Sequence, residues 1–144
     1  MRVEQISVFL ENKSGRLAEV TAVLAEAGVN IRALALADTS DFGVLRLIVS
    51  DNKTAEKALK DRGFAVRKTD VIAVEVEDKP GGLNRILDLL HQSGINVEYM
   101  YAFVGKDQQN AVMIFRFDEM ERTAQLLKEN GLNVLDTDQV YLSA

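Results

Sequence analysis

Apolar positions along the chain change period several times, and the whole series of changes occurs twice. Ile6, Val8 and Leu10 alternate with Ser7 and, less regularly, Phe9, while Ile72, Val74 and Val76 alternate with Ala73, Glu75 and Glu77. A period of two predicts a half-buried strand in each place. The period then lengthens: Leu17, Val20, Leu24 and Ala27 fall on one helical face, as do Leu83, Ile86, Leu87 and Leu90. Gly28 and Gly94 follow where a helix is expected to end on a left-handed residue. Two further strands are predicted in each half, near Asn30–Ala37 and Val44–Val49 around a turn at 38–43, and near Val97–Phe103 and Ala111–Phe117 around a turn at Gly105–Asn110. A second helix carries Ala55, Ala58 and Leu59 in the first half, and Met120, Ala124 and Leu127 in the second. Ser50 and Asp118 are the expected N-caps, with Asp118 and Glu121 spaced as a capping box. Gly63 and Gly131 end these helices, and short strands near Ala65–Lys68 and Asn133–Asp136 close each half. Asp138–Leu142 repeats the pattern of Asp70–Val74 and is expected to add a terminal strand.

The two series align residue by residue. Lys13-Ser14-Gly15-Arg16-Leu17 matches Lys79-Pro80-Gly81-Gly82-Leu83 at an offset of 66, which also carries Val8 to Val74, Gly28 to Gly94 and Asn30 to Asn96. Past the central hairpin the offset becomes 68, taking Val44 to Val112, Gly63 to Gly131 and Val66 to Val134. One register change inside a turn is the mark of a duplicated module with a longer loop. The expected organisation is therefore two modules, 1–70 and 71–144. Each is α+β in class, a ferredoxin-like βαββαβ unit with an antiparallel sheet and helices on one face. Pro80 lies just before a helix, where its missing N–H does no harm.

Composition narrows the function classes. With 47% hydrophobic and 27% charged residues the chain is globular rather than disordered. No apolar run approaches the ~20 residues of a membrane span, and residues 1–7 lack the apolar stretch of a signal peptide, so no membrane association is expected. The absence of cysteine removes disulfides, thiolate metal sites and cysteine nucleophiles, and fits a cytoplasmic location. The net charge is −5, and residues 71–144 hold 12 acidic against 6 basic side chains. Neither half offers the basic face that phosphate neutralisation needs, so nucleic acid is not an expected partner. Metal carriers of this shape need a cysteine pair. RNA-binding versions need stacking aromatics, and Phe42-Gly43-Val44-Leu45-Arg46-Leu47 has leucine where one is wanted. His91 has no second histidine, cysteine or serine placed to make a catalytic or metal set, and reads as a solvated side chain. Acidic Asp118-Glu119-Met120-Glu121 favours a helix N-terminus, and Phe42, Tyr99, Tyr101 and Phe103 read as core or interface. No nucleophile–base pair and no metal-ligand spacing is found, so the chain is expected to be no enzyme, with no cofactor and no metal.

What remains distinctive is the first strand–helix turn of each half. Asn12-Lys13-Ser14-Gly15-Arg16 and Asp78-Lys79-Pro80-Gly81-Gly82 put glycine and small residues where a helix begins. Unpaired helix N–H groups attract a carboxylate, and glycine allows close approach. Asn12 or Asp78 can accept hydrogen bonds from an ammonium group, and Asn30 and Asn96, opening the next strand, add an amide. Together these suit a free α-amino acid. Ordinary turn chemistry accounts for the same residues equally well.

The run of strand, polar-x-Pro/Ser-Gly-x-Leu, helix and Gly-Val/Ile-Asn-Ile/Val resembles the ACT family of amino-acid-sensing domains, once per half and over essentially the whole chain. That resemblance implies ferredoxin-like modules that pair side by side, with effectors held between neighbouring modules. In serine-binding members the polar residue of the first loop and the Asn opening the second strand contact the ligand. Carried over, these positions are Asn12 and Asn30 in the first copy, with Ser14 where the family prefers proline and Arg16 as a supplement to the carboxylate site. The second copy keeps Asn96 but has Asp78 in its loop, beside Gly81 and Gly82. The function expected is a non-catalytic amino-acid-binding regulatory protein; the alternative is an accessory regulatory subunit of a biosynthetic enzyme, resembling the small subunit of acetolactate synthase. The ligand expected is a small amino acid. A homodimer is expected because the second strand of each copy is apolar on both faces: Leu34 and Leu36 against Ile31, Ala33 and Ala35, and Met100 and Ala102 against Val97, Tyr99, Tyr101 and Phe103.

Overall fold

The computed structural model describes residues 2–38, 41–104 and 110–143. The expected turn residues 39–40 and 105–109 lie outside them. The elements run β1 Val3–Glu11, α1 Arg16–Glu26, β2 Ile31–Asp38, β3 Phe42–Val49, α2 Asn52–Asp61, β4 Ala65–Glu77, α3 Gly82–Gln92, β5 Val97–Val104, β6 Asn110–Phe117, α4 Met120–Glu129, β7 Asn133–Leu135 and α5 Thr137–Ser143. The chain divides into two compact units, Glu4–Thr69 and Asp70–Ala144 with Met1–Val3. Both are α+β and ferredoxin-like, with the helices on one face of an antiparallel sheet.

In the first unit β3 lies between β1 and β2, with Ile6 opposite Leu47 and Leu34 also opposite Leu47. Alternation sends Ile6, Val8 and Leu10 of β1 and Leu45, Leu47 and Val49 of β3 to one face. There they meet Val20, Val23 and Leu24 of α1 and Ala55 and Leu59 of α2 in a single core. The second unit repeats the arrangement in the order β7-β4-β6-β5. Its core joins Ile72, Val74 and Val76 to Ile86, Leu90 and Leu127, with the rings of Phe115 and Phe117 stacked 5.0 Å apart.

Each main helix ends in the same way. After α1, Gly28 takes φ 72°; its N–H donates to the Ala25 carbonyl, and the Val29 N–H donates to that of Leu24. These two bonds satisfy carbonyls the helix leaves open and turn Val29 into the core. Equivalent bonds follow α2, α3 and α4.

Three local expectations are corrected. Ser50 does not cap α2. Asp51 does, accepting the Thr54 N–H at 3.1 Å. Asp118 likewise leaves the cap position of α4 to Glu119. Both displaced residues instead fasten the end of one strand to the start of another. Ser50 Oγ accepts the Asn30 N–H at 3.0 Å while its own N–H donates to the Asn30 carbonyl. Asp118 and Asn96 make the same reciprocal pair. Thirdly, 138–142 is not a strand but part of α5. Asp136 accepts the Gln139 N–H and donates its own N–H to the Gln139 side chain, both at 2.9 Å, which is the reciprocal arrangement of a capping box. The closing strand near 65–68 and the strand expected from residue 72 are also one continuous element, β4.

Candidate functional site

The turn from first strand to first helix is built alike in both units. Gly15 and Gly81 stand just before their helices at φ 89° and 87°, a left-handed conformation that costs a side-chain-bearing residue roughly 1–2 kcal/mol. Each turn also carries an internal ion pair, Glu11 with Lys13 at 2.8 Å and Glu77 with Lys79 at 2.6 Å. The lysine hydrogen bond, and then its charge, hold both carboxyls below their ordinary value. Both acids are therefore ionised at neutral pH, and each already has its cation.

Beyond this frame the copies differ. In the first, Arg16 donates to Glu19 at 2.8 Å and lies over the Phe64 ring, 4.7 Å from its centre. Its guanidinium is thus engaged within the module. Asn12 and Ser14 are exposed, and the Asn12 N–H donates to the Asp41 carbonyl. In the second copy the loop closes more tightly. A Cβ on Gly82 would stand 2.3 Å from the Glu77 carbonyl oxygen, so the first turn of α3 approaches the end of β4 as only glycine permits.

A cavity of about 420 Å³ opens beside this tight turn, within the ~300–1,000 Å³ range of small-molecule sites. It lies between the α3 turn, the end of β4, the start of β6 and the Gly131–Asn133 turn into β7. Gly81 and Gly82 line it; Asp78 does not. Its polar centre is Glu75, half-buried, with one carboxylate oxygen accepting the side-chain amide of Asn110 at 2.5 Å and the other that of Asn133 at 2.8 Å. Register explains the grouping: Asn110 is opposite Glu77 and Asn133 opposite Glu75, so these side chains share one face of β4.

Not all of the expected residues come together. Within a module the loop residue and the strand-opening asparagine lie at opposite ends of the sheet. Glu11, next to Asn12, is opposite Phe42, whereas Asn30 precedes the Ile31–Val49 pair at the far end. The eight residues of β2 separate these ends by roughly 25 Å. Asp78 and Asn96 are parted in the same manner. Glu75, Asn110 and Asn133 did not stand out in the sequence, although the repeat contains the signal for them. The same offsets set Glu75 against Phe9, Asn110 against Phe42 and Asn133 against Ala65.

The family profile for an ACT domain pair matches residues 1–142. The chain belongs to that family. A protein from Bacteroides thetaiotaomicron of known structure is 44% identical, with 98% of this chain and 96% of that one covered at a TM-score of 0.92. The ligand-free regulatory subunit of aspartate kinase from Thermus thermophilus shares the fold at a TM-score of 0.63 and 15% identity, over 89% of this chain and 92% of that one. Escherichia coli aspartokinase III in complex with lysine and aspartate aligns at a TM-score of 0.53 and 16% identity, over 90% of this chain and 31% of that one. No curated protein matches the chain. Among the described residues, no helix of this ACT pair is long and apolar enough to cross a membrane, and no group of three or more His, Asp or Glu is placed to hold a metal ion.

Proposed function

We propose that this ACT pair is a non-catalytic regulatory protein that binds a free amino acid and passes on its occupancy through contacts with a second copy of itself. The observation that carries this reading is the cavity at the strand–helix turn of the second module. It offers carboxylates and cations on one lining, Glu75 and Glu77 with Lys79 and Arg85, and an α-amino acid is the small metabolite that presents both signs of charge on adjacent atoms. Asn12, Ser14, Gly15, Arg16 and Asn30 in the first copy, with Asp78 and Asn96 in the second, remain the site proposed from family resemblance. Because Asn12 and Asn30 stand at opposite ends of a module, one ligand meets both only where two copies of the chain face each other.

A thermal-shift screen of the common amino acids tests the reading. A ligand at a hundred times its dissociation constant adds about 2.7 kcal/mol of stability, which raises Tm by roughly 5–10 °C in a chain of this size. One or a few amino acids are expected to do so. No shift with any of them at millimolar concentration removes the sensor reading.

A further inference from the structure

Resting on that reading, we propose that the cavity at Glu75 is the ligand seat of the second module, and that it takes an aliphatic α-amino acid with its ammonium group on Glu75 and its carboxylate toward Arg85.

The charges in the cavity point to this polarity. Glu77 and Lys79 neutralise each other at 2.6 Å. Two groups stand outside that pair, the Glu75 carboxylate and the Arg85 guanidinium; neither is in an ion pair among the described residues, although the Arg85 charge also reaches Glu77 and helps to lower its pKa. Glu75 is held by neutral partners alone, the amides of Asn110 and Asn133. They fix both oxygens in place without cancelling the charge. Each oxygen retains a further lone pair, so the carboxylate is a preformed acceptor for an ammonium group. A half-buried carboxylate without a cation is a costly arrangement that a cationic ligand relieves.

The duplicated module is an internal control. Where the second copy has Glu75, Asn110 and Asn133, the first has Phe9, Phe42 and Ala65 on the same framework. The fold thus has no need of a polar trio at these positions. Apolar Val76, Pro80, Ile86 and Leu132 complete the lining, and they match an uncharged aliphatic side chain rather than a polar one.

Calorimetric titration of the full chain with L-leucine, L-isoleucine and L-valine tests the proposal, alongside 3-methylbutylamine and 4-methylpentanoate, which keep the leucine side chain but lack the carboxylate or the ammonium group. At least one of the three amino acids is expected to bind. Glu75→Gln, which keeps the size and the acceptor oxygen, is expected to weaken it by roughly ten- to a hundredfold, the range for losing a hydrogen bond to a charged group. Glu75→Phe, which installs the residue the first copy uses at that position, is expected to abolish binding with the thermal transition retained. Wild-type binding of a charged amino acid in preference to all three aliphatic ones overturns the ligand assignment and leaves the sensor reading standing. So does 4-methylpentanoate binding as tightly as leucine. Undiminished binding in both Glu75 variants, with loss in Asn12→Ala/Asn30→Ala, moves the site to the first module. Binding of no amino acid by the wild type removes the proposal and the sensor reading together.

Discussion

Arg16 and Gly82 occupy the same position in the two copies, and the contrast shows how one residue sets what a shared turn can do. At Arg16 the helix start has room for a side chain, which the module then uses on Glu19 and Phe64. At Gly82 the backbone has moved to within a Cβ clash of the Glu77 carbonyl. Sequence reading saw glycine at a helix start in both copies; the difference in closeness depends on where β4 ends in space, which no local pattern encodes. Asp51 makes a residue-scale prediction. Its carboxyl is held below the ordinary 3.8, first by the Thr54 hydroxyl and then by the Thr54 N–H. The folded state therefore binds a proton less readily than the unfolded one. The stabilisation is present above the unfolded value and is lost as pH falls through the lower folded value. Asp51→Ala should melt below the wild type at pH 7, and the gap should narrow as the pH is taken under 3.8. A gap that stays constant down to strongly acidic pH would show that the cap is not the source of the difference.

At the scale of elements, the strands and the four main helices were legible because their apolar periodicities run through long stretches and recur in both copies. Short segments were not. Asp138–Leu142 shares its pattern with Asp70–Val74, but the latter is a strand because β6 pairs with β4 from Ile72 onward and β7 from Ala73. Those partners lie far away in sequence. Five residues of alternation do not separate a strand from one turn and a half of helix, and here Asp136 with Gln139 was the usable signal. Ser50 and Asp118 misled for a related reason. They are good cap residues, yet the strand start at Asn30 or Asn96 competes for the same side-chain oxygen and wins in both modules. The assignment of α5 is open to a direct check. Asp136→Ala removes the acceptor for the Gln139 N–H and should cost about 0.5–2 kcal/mol, the usual range for an N-cap, in urea unfolding. A strand at 138–142 would make the same substitution nearly silent, since Asp136 would then cap nothing.

For the whole molecule, the two modules share a scaffold but differ in surface chemistry. The second carries the polar cavity, whereas the first is apolar at the corresponding places, with Phe9 44% and Phe42 61% exposed. Each copy keeps its own apolar core, while positions outside the core differ between them, Phe9 and Phe42 standing where the second copy has Glu75 and Asn110. That separation is legible only by laying the copies side by side, because either module alone reads as an ordinary alternating sheet.

The apolar surface of β2 leads to the last prediction. Among the described residues β2 pairs with β3 alone, so one of its edges is open, and an open edge bearing apolar side chains invites another chain. Leu34 and Leu36 are 51% and 53% exposed although they stand opposite Leu47 and Leu45, which are fully buried beneath the helices. The exposed leucines thus lie on the helix side of the strand, not on the bare face of the sheet from which pairing was expected. Met100 on β5, opposite buried Phe115, stands in the same relation. Each leucine still has about half its side chain to cover, a contribution on the order of 1 kcal/mol apiece. Both copies carry the change, so a symmetric contact loses four leucines, and Leu34→Lys/Leu36→Lys should raise a homodimer dissociation constant by roughly a thousandfold, and further through like-charge repulsion. Since neither side chain belongs to the buried core, the thermal transition of the separated chain should survive. Light scattering across a micromolar concentration series is expected to give twice the chain mass for the wild type and a falling mass for the variant. A wild-type monomer throughout that range removes the homodimer, and the accessory-subunit alternative then gains the surface that the homodimer loses.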